Sequence, residues 1–402
     1  MKSGLLFNQK YSIILLKLSI SLLLFIFFYL FFFTKSSIFF PFSEPSSNLH
    51  KPHHSSSGDE KCDIFTGKWI ADPSGPAYSH VSCPFIEPPQ NCIKNGRPDT
   101  AFLYWRWKPD GCHISSLDPL RFLKAMRNKS WAFIGDSILR NQVRSLICLL
   151  HKEDEPIEVY HDEQYKSMKW LFANYNFTLS LIWSPLLMKA EIFEDDDGVS
   201  KSDMQLHLDT IDTQWSNKYN NFDYILISGG QWFLKTAIYW EKNNIIGCHY
   251  CPEKNLTELP LNYSYQKVLS LIFNFVLSSN HKPIVIYRTW APSHFEYREW
   301  SNGGICNRTE PFNGGLIHEE DVDLLMRSIE IEEFLRAMMK NTNNLKLLDT
   351  YNLSARRPDG HPGPYRKFHS FGTMVQNDCL HWCLPGPIDS WNFLLMDMIL
   401  RN

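Results

Sequence analysis

The chain has 402 residues, with 40 lysines and arginines against 43 aspartates and glutamates, so its net charge is −3 when histidine is neutral. A nucleic-acid-binding protein would show a basic stretch, and none stands out here, so we expect no nucleic-acid partner. Residues 61–402 are enough for one large domain or two moderate ones.

The N-terminal segment predicts a membrane anchor. Residues 12–33, SIILLKLSISLLLFIFFYLFFF, are long enough to cross a hydrocarbon core and are interrupted only by Lys17. A signal peptide is the alternative, although its apolar region would be shorter and would be followed by small residues at a cleavage site. The lysines on the N-terminal side predict a cytosolic tail at residues 1–11, which leaves the bulk of the chain in a lumen.

A stem and a lumenal address follow from the next features. Residues 34–60 are rich in Ser, Pro and His and have too little apolar content to pack, so they predict a disordered stem. Six Asn-X-Ser/Thr sequons agree with a lumenal address. These candidates for glycosylation are Asn128, Asn176, Asn255, Asn262, Asn307 and Asn352.

The cysteines all lie after the predicted anchor, and their number is even. This pattern predicts disulfides in an oxidising compartment. Zinc is the alternative, because CHYC and CLHWC each place a histidine between two cysteines, but zinc fingers usually take their histidines from elsewhere. We therefore expect no metal site. The disulfide candidates are Cys62, Cys83, Cys92, Cys112, Cys148, Cys248, Cys251, Cys306, Cys379 and Cys383.

Two structural regions are predicted beyond the stem. Residues 61–115 contain glycine and proline turns, four cysteines and the aromatic run YWRWKPDGC, which favour a small disulfide-tied unit. In residues 116–402, short β-type runs alternate with amphipathic stretches. In chain order these are WAFIGD before SILRNQVRSLICLL, FDYILISGG, SYQKVLSLIFNFVLSS before KPIVIYRTW, DLLMRSIEIEEFLRAMMK before LKLLDTYNL, and PIDSWNFLLMDMIL. The alternation predicts an α/β fold with a mostly parallel sheet covered on both faces.

The junction FIGDSILRNQ places Ser137 between a strand and a helix. WAFIG is a continuous apolar run, and helical spacing follows it at Leu139, Val143, Leu146, Ile147 and Leu150. The turn therefore lies at the carboxyl edge of the sheet, where α/β folds bind ligands. Free N–H groups of the first helical turn favour a developing oxyanion, which makes Ser137 a candidate nucleophile. The alternative is that Asp136 or Ser137 only caps the helix.

A base for this serine is predicted near the C-terminus, in VQNDCLHWCLPGPIDSWN. Asp378 and His381 are three residues apart, so in a tight loop their side chains lie on one side. The carboxylate would then accept from His381 Nδ1–H and leave Nε2 to take the proton of Ser137. His294 and His361 are weaker candidates for the base. The alternative for Asp378 and His381 is an exposed ion pair.

Several ordered blocks carry a family resemblance. They are the anchor and stem, CDIFTGKWIADPSGPAYSHVSCPFIEPPQNCIKNGRPDTAFLYWRWKPDGC, FIGDSILRNQ, YRTWAPSHFEYREWSNGGICN and NDCLHWCLPGPIDSWN. With them the chain resembles the plant trichome birefringence-like proteins, Golgi polysaccharide O-acetyltransferases related to the GDSL/SGNH esterases. The resemblance implies a three-layer α/β/α SGNH-hydrolase-like sandwich and a lumenal enzyme with one anchor. It also implies an acetyl-serine intermediate on Ser137, with His381 as base and then acid and Asp378 as its orienting residue.

At the oxyanion site the chain departs from the pattern. SGNH esterases supply an Asn side chain after a later strand, whereas the comparable ISGGQWF has Gly229, Gly230 and Gln231. We expect a main-chain N–H of Gly230 or the amide of Gln231 in its place.

Sugar binding needs aromatic faces and planar donors. The candidates are Trp105, Trp232, Trp290, Trp382, Arg288, Arg140 and Asn141. Core packing is the alternative for the tryptophans, and ordinary helix surface is the alternative for Arg140 and Asn141.

The cysteine layout, acetyl donor and acceptor complete the predictions. Connectivity does not follow from spacing alone, but the layout favours a local Cys248–Cys251 pair, with N-terminal cysteines and Cys306 tying the early unit to the CLHWC loop. Nothing resembles a phosphate cradle for acetyl-CoA, so we expect no bound cofactor; acetyl-CoA or a membrane partner would supply the acetyl group. DPSGPAY and GQWFLKTA are most similar to the xyloglucan or glucomannan branch, with xyloglucan favoured. A glucomannan or xylan O-acetyltransferase, a polysaccharide acetylesterase and a non-catalytic wall-polymer binding protein are the alternatives.

Overall fold

The computed structural model describes residues 63–112, 114, 118–193, 202–298, 302–312, 320–340, 344–369 and 375–401. Residues Lys61–Asn402 form one compact unit, to which the following description applies. The predicted tail, anchor and stem lie outside the described residues. Within the ranges given above, we find no helix that is both long and apolar enough to cross a membrane.

The strands and helices follow one another in mixed order. The strands are β1 (Gly67–Ala71), β2 (Trp105–Pro109), β3 (Ser130–Gly135), β4 (Ile157–His161), β5 (Met168–Phe172), β6 (Phe177–Trp183), β7 (Met188–Glu191), β8 (Met204–Ile211), β9 (Tyr224–Ser228), β10 (Ala237–Glu241), β11 (Asn244–His249), β12 (Ile284–Arg288) and β13 (Leu345–Leu348). The helices are α1 (Pro119–Ala125), α2 (Ser137–Leu150), α3 (Thr213–Ser216), α4 (Leu261–Ser278), α5 (Asp321–Met338), α6 (Tyr351–Ala355) and α7 (Asp389–Leu400).

The central sheet has seven strands in the order β13-β12-β9-β3-β6-β5-β4. Its first five strands are parallel, and β5 and β4 are antiparallel to their neighbours. The predicted mostly parallel sheet is therefore confirmed for this sheet. Two smaller sheets were not predicted, namely β1-β2 and the mixed sheet β11-β10-β8-β7. In β8, buried and part-buried residues alternate from Met204 to Leu208. This alternation has the period of two that is typical of a strand, but no helix-like stretch flanks it as in the predicted strand–helix pairs.

Helices cover both faces of the central sheet. Along β3, Phe133 packs in a cluster with residues of α2 and α7, while Ala132 and Ile134 pack in a second cluster with residues of α4 and α5. This alternation arises because successive side chains of a strand point to opposite faces. The result is three layers, and the turns that follow β3, β6, β9, β12 and β13 share one edge.

The described part of the predicted N-terminal unit, residues 63–112, is part of the main core. Trp69 of β1 and Trp107 of β2 pack edge to face and belong to the same hydrophobic cluster as α2 and α7. The indole N–H of Trp69 donates to the carbonyl of Leu353 at 2.9 Å. The unit predicted for residues 61–115 is therefore packed on the α/β core, because its two-stranded sheet is too small to bury its tryptophans alone.

Disulfides join distant parts of the chain. Cys92 bonds Cys383 and Cys306 bonds Cys379, so two separate segments are tied to the CLHWC loop. The layout prediction is confirmed there and for the local pair in CHYC. Further bonds are Cys83–Cys148 and one made by Cys112, while Cys62 lies outside the described residues. Because CHYC and CLHWC are oxidised, their sulfurs are not thiolate ligands for zinc.

The asparagines of the sequons lie at the surface. Asn352 is half-buried, and the other five are exposed. The side chains of Asn128 and Asn176 are hydrogen-bonded to each other at 3.1 Å, so these two sequons are neighbours in space.

Candidate active site

The turn between β3 and α2 carries Ser137 as the first residue of the helix. The cap is Asp136, whose carboxylate accepts from the N–H groups of Ile138 at 3.0 Å and Leu139 at 3.3 Å. Asp136 is 1% exposed, whereas Ser137 is half-buried. The capping alternative therefore applies to Asp136, and the Ser137 hydroxyl is not the group that caps the helix.

Gly135 is required by space. A Cβ at this position would lie 1.9 Å from the carbonyl oxygen of Ser228, its partner in β9. Its φ is outside the left-handed region, so the close approach of two strands, and not an unusual backbone geometry, is the reason for a glycine here. This approach brings the Ser137 turn beside the turn that begins at Gly229.

Asp378 and His381 form a largely buried pair. His381 Nδ1 lies 2.9 Å from Asp378 Oδ2, and the same carboxylate accepts from the main-chain N–H groups of Leu380 and His381 at 3.2 and 3.0 Å. The two side chains are 10% and 24% exposed, so this is not an exposed surface ion pair. The loop therefore fixes the ring through its Nδ1 side.

Asp378 and His381 shift each other's pKa, and each shift favours the charged form. Burial by itself would raise the pKa of Asp378, but the His381 ring and the hydrogen bonds from His381 and Leu380 hold it well below its usual range. Burial opposes protonation of His381, yet the carboxylate of Asp378, with a contribution from Asp136, raises its pKa.

Asn141 joins the two segments directly. It lies on α2, one turn after Ser137, and its Oδ1 accepts from the main-chain N–H of Trp382 at 2.7 Å. Its Nδ2 donates to the carbonyl of Trp382 at 3.3 Å. Because Trp382 follows His381, this clamp places the histidine loop against the helix that Ser137 begins. Asn141 is 0% exposed, so the structure does not support its predicted contact with sugar.

Arg288 is a buried cation near Asp136 and is not exposed to a sugar. It ends β12, is 2% exposed, and its Nη1 donates to the carbonyl of Thr289 at 2.8 Å. The guanidinium lies 4.9 Å from the ring centre of Trp391. Burial raises the pKa of Asp136, and the charge of Arg288 opposes this rise. Its predicted sugar contact is not supported, because the side chain lies inside the α2–α7 layer.

The Gly229–Gly230 turn follows β9, next to β3. Gly230 has φ +131°, and a Cβ there would lie 2.9 Å from the ring of Trp290, so the position requires glycine. The side chain of Gln231 points away along a neighbouring loop, since its Nε2 donates to the carbonyl of Ala291 at 2.7 Å. The amide of Gln231 is therefore already engaged, which leaves the main chain of this turn as the predicted oxyanion donor without a side-chain role of its own.

The predicted sugar-binding tryptophans divide by exposure. Trp290 and Trp382 are 2% and 0% exposed, and Trp290 is held by Asp323 and Glu330, so neither presents a face to solvent. Trp105 and Trp232 are half-buried. The prediction is thus not supported for the first two, because large aromatic rings fill the core more readily than the surface.

Arg140 forms an ion pair with Glu87. It and Arg144 both contact the carboxylate of Glu87, with Arg140 Nη2 at 2.7 Å. Its side chain is 23% exposed, and the ion pair with Glu87 accounts for its position without a contact to sugar.

Trp183 is a residue that the sequence analysis missed. It ends β6, is half-buried, and pairs in register with Gly135 two residues before Ser137. Its ring meets that of Trp232 edge to face, with centres 5.9 Å apart, and the ammonium of Lys235 lies 4.1 Å from the centre of Trp232. The signal was the apolar run LSLIW, whose carboxyl end shares the edge with Ser137.

Comparisons with known proteins identify the family of this chain. A family described as "GDSL/SGNH-like Acyl-Esterase family found in Pmr5 and Cas1p" matches residues 114–398, and "PMR5 N terminal Domain" matches residues 60–113. Protein trichome birefringence-like 25 of Arabidopsis thaliana is 53% identical over 355 residues, covering 85% of this chain and 77% of its own length. Xyloglucan O-acetyltransferase 1 of Arabidopsis thaliana is 42% identical and that of Populus trichocarpa 41%, each covering 85% of this chain and 80% or 82% of their own length.

Proposed function

Because this chain belongs to the trichome birefringence-like family of GDSL/SGNH-like acyl esterases, we propose that it is a polysaccharide O-acetyltransferase with Ser137, His381 and Asp378 as its triad. The observation that carries the proposal is the buried Asp378–His381 pair, which Asn141 clamps to the helix that Ser137 begins. The names of two relatives, both xyloglucan O-acetyltransferases, supply the reaction type.

The reaction is a double displacement. His381 Nε2 takes the proton of Ser137 Oγ while Oγ attacks the carbonyl carbon of the acetyl donor, and the leaving group departs with that proton. A sugar hydroxyl then loses its proton to His381, attacks acetyl-Ser137 and releases Oγ, which regains the proton. Asp378 stays ionised and stabilises the imidazolium. Because Asp136 takes the N–H groups of Ile138 and Leu139, the main-chain N–H of Ser137 and the Gly229–Gly230 main chain stabilise the oxyanion of each step.

We place the acceptor sugar against Trp183 and Trp232. Half-buried tryptophans present an apolar face with a polar edge, which suits a sugar ring. Trp183 is supported by its register with Gly135, and Trp232 by its contact with Trp183. A well-positioned sugar hydroxyl outcompetes water because it reacts as part of the bound complex.

The acceptor is a plant hemicellulose in this proposal. Xyloglucan is supported by the names of the two relatives at 41–42% identity. Glucomannan is the second candidate, because DPSGPAY and GQWFLKTA are also similar to the glucomannan branch. Four trichome birefringence-like relatives whose names state no acceptor reach 50–53% identity, which is higher than the 41–42% of the two xyloglucan enzymes. That difference favours a branch separate from the named xyloglucan enzymes.

We also propose a Golgi location, with the chain anchored through residues 12–33 and the triad in the lumen. Disulfides at the CLHWC loop and five exposed sequons support an oxidising, glycosylating compartment. No resident cofactor takes part in the proposed reaction, and acetyl-CoA or a membrane partner supplies the acetyl group.

The test is acetyl transfer by the full chain, purified in detergent. An activated acetyl ester is offered with deacetylated xyloglucan, glucomannan and xylan oligosaccharides, and Ser137→Ala is compared with Ser328→Ala, an exposed serine of α5. We expect acetylated sugar from the wild type and from Ser328→Ala, and none from Ser137→Ala. Free acetate alone would identify an acetylesterase instead. Undiminished transfer by Ser137→Ala would show that Ser137 is not the nucleophile, and no acetyl transfer or release by the wild type would leave a binding protein.

A further inference from the structure

Two buried histidines outside the triad contact each other behind the His381 loop. His294 and His361 are 9% and 4% exposed, and His294 Nδ1 lies 2.7 Å from His361 Nε2. Each ring also reaches a main-chain carbonyl. His294 Nε2 lies 3.1 Å from the oxygen of Ala355, and His361 Nδ1 lies 2.7 Å from the oxygen of His381. The chain of contacts therefore ends on the residue proposed as the base.

The number of protons on the two rings limits how many of these three contacts are hydrogen bonds. A carbonyl only accepts, so a hydrogen bond at each end requires a proton on His294 Nε2 and on His361 Nδ1. Two neutral rings then have no proton left for the contact between them. All three bonds form only if the pair carries one extra proton; otherwise one bond is given up.

The surroundings of His361 favour its neutral form. Burial and the neighbouring ring of His294 lower the pKa of His361 well below its ordinary value, and Arg97 adds to this effect while Asp378 opposes it. Arg97 Nη1 donates to the carbonyl of His361 at 2.9 Å. With His361 neutral, its one proton serves the 2.7 Å contact with the carbonyl of His381, and its Nε2 is left to accept. His294 Nδ1–H then donates to His361 Nε2, and His361 Nδ1–H donates to His381.

We propose that His294 and His361 are positioning residues for His381: His294 fixes the tautomer of His361, and His361 holds the main-chain carbonyl of the base. The proposal rests on the role of His381 proposed above. His361 fits this task because its ring also stacks on Trp382, with centres 4.2 Å apart and planes at 28°.

The other supports of the base act elsewhere on the loop. Asp378 fixes the imidazole and the N–H of His381, and Asn141 fixes Trp382. His361 is thus the residue that holds the carbonyl side of His381. A small rotation there would displace Nε2 from Ser137, and misplacement of a catalytic group by about 1 Å can cost about 100-fold in rate.

Two matched variants test this role in the full chain. In His361→Asn, the amide nitrogen can occupy the place of Nδ1 and still donate to His381. In His361→Gln, the amide reaches the place of Nε2, and the donor to His381 is lost. We expect His361→Asn to retain kcat within about threefold and His361→Gln to lose about tenfold or more, with KM for the acceptor little changed. Equal loss in both variants, or loss in neither, would overturn the proposal.

A spectroscopic measurement tests the tautomer without relying on activity. The full wild-type chain is labelled with ¹⁵N-histidine, and the ring nitrogens of His361 are assigned by comparison with His361→Asn or, if that variant does not fold, with His294→Gln. We expect a protonated Nδ1 and an unprotonated Nε2. The opposite tautomer would refute the positioning role. If the wild type transfers no acetyl group to any acceptor, the proposed function fails, whereas the tautomer still decides the arrangement of His361.

Discussion

Asn141 and Trp382 exchange two hydrogen bonds, at 2.7 and 3.3 Å, across 241 positions of the chain. The bonds join the first turns of α2 to the loop that carries His381. Since both main-chain groups of Trp382 are satisfied by one buried side chain, the relative placement of nucleophile and base depends on Asn141.

Asn141→Ala is expected to lower both stability and activity. It leaves a buried N–H and a carbonyl of Trp382 without their partner, at a cost of about 1–3 kcal/mol in the free energy of unfolding per unsatisfied group. Denaturant unfolding and acetyl-transfer kinetics of the full chain measure the two effects. Arg140→Ala is the neighbouring control. We expect it to lower the free energy of unfolding by less than about 1 kcal/mol, because Glu87 remains paired with Arg144. Similar losses in the two variants would count against the clamp.

The activity of the wild type is expected to rise with pH through a pKa above 6.5. The base must be neutral to take a proton, and Asp378 raises the pKa of His381 from that ordinary value. In Asp378→Asn the carboxylate is lost, so the midpoint of the remaining activity should move to lower pH. The measurement is kcat/KM against pH for both proteins. An unchanged midpoint would contradict the electrostatic coupling.

The same pair predicts a pH window for stability. The pKa of Asp378 is depressed, so its contribution is present above the ordinary value of 3.8 and is lost as the pH falls through the lower folded value. The pKa of His381 is raised, so its contribution is present below 6.5 and is lost as the pH rises. The difference in unfolding free energy between wild type and Asp378→Asn should be largest between pH 3.8 and 6.5. A flat difference across this range would show that the pair adds no stability.

Trp183→Ala is expected to weaken acceptor use. Loss of a stacking face should raise KM for the oligosaccharide about tenfold, or about 1.4 kcal/mol, and leave hydrolysis of the activated ester nearly unchanged. Trp240→Ala is the control, since Trp240 is also half-buried but lies on β10 and stacks on His207. Equal increases in KM for the two variants would remove Trp183 from the acceptor site.

Loss of the Cys306–Cys379 bond is expected to reduce activity more than loss of Cys248–Cys251. The first bond ties the loop next to Asp378, whereas the second closes a local turn after β11. The paired serine variants are compared by acetyl transfer and by hydrogen exchange of residues 375–385. Unchanged exchange in Cys306→Ser/Cys379→Ser would show that packing alone holds the loop.

The sequence by itself determined the local parts of the site. An apolar run ending in Gly135 and helical spacing after Ser137 fix a strand-to-helix turn, because both signals lie within neighbouring residues. Asp378 and His381 likewise meet through a short loop.

The tertiary structure alone decided which distant groups surround them. It buried Arg288, Trp290 and Trp382, assigned Asn141 to the His381 loop, brought His294 to His361 and placed Trp183 beside Gly135. Periodicity reports which face of an element is apolar, but partners far apart in the chain are chosen by the packing of whole layers.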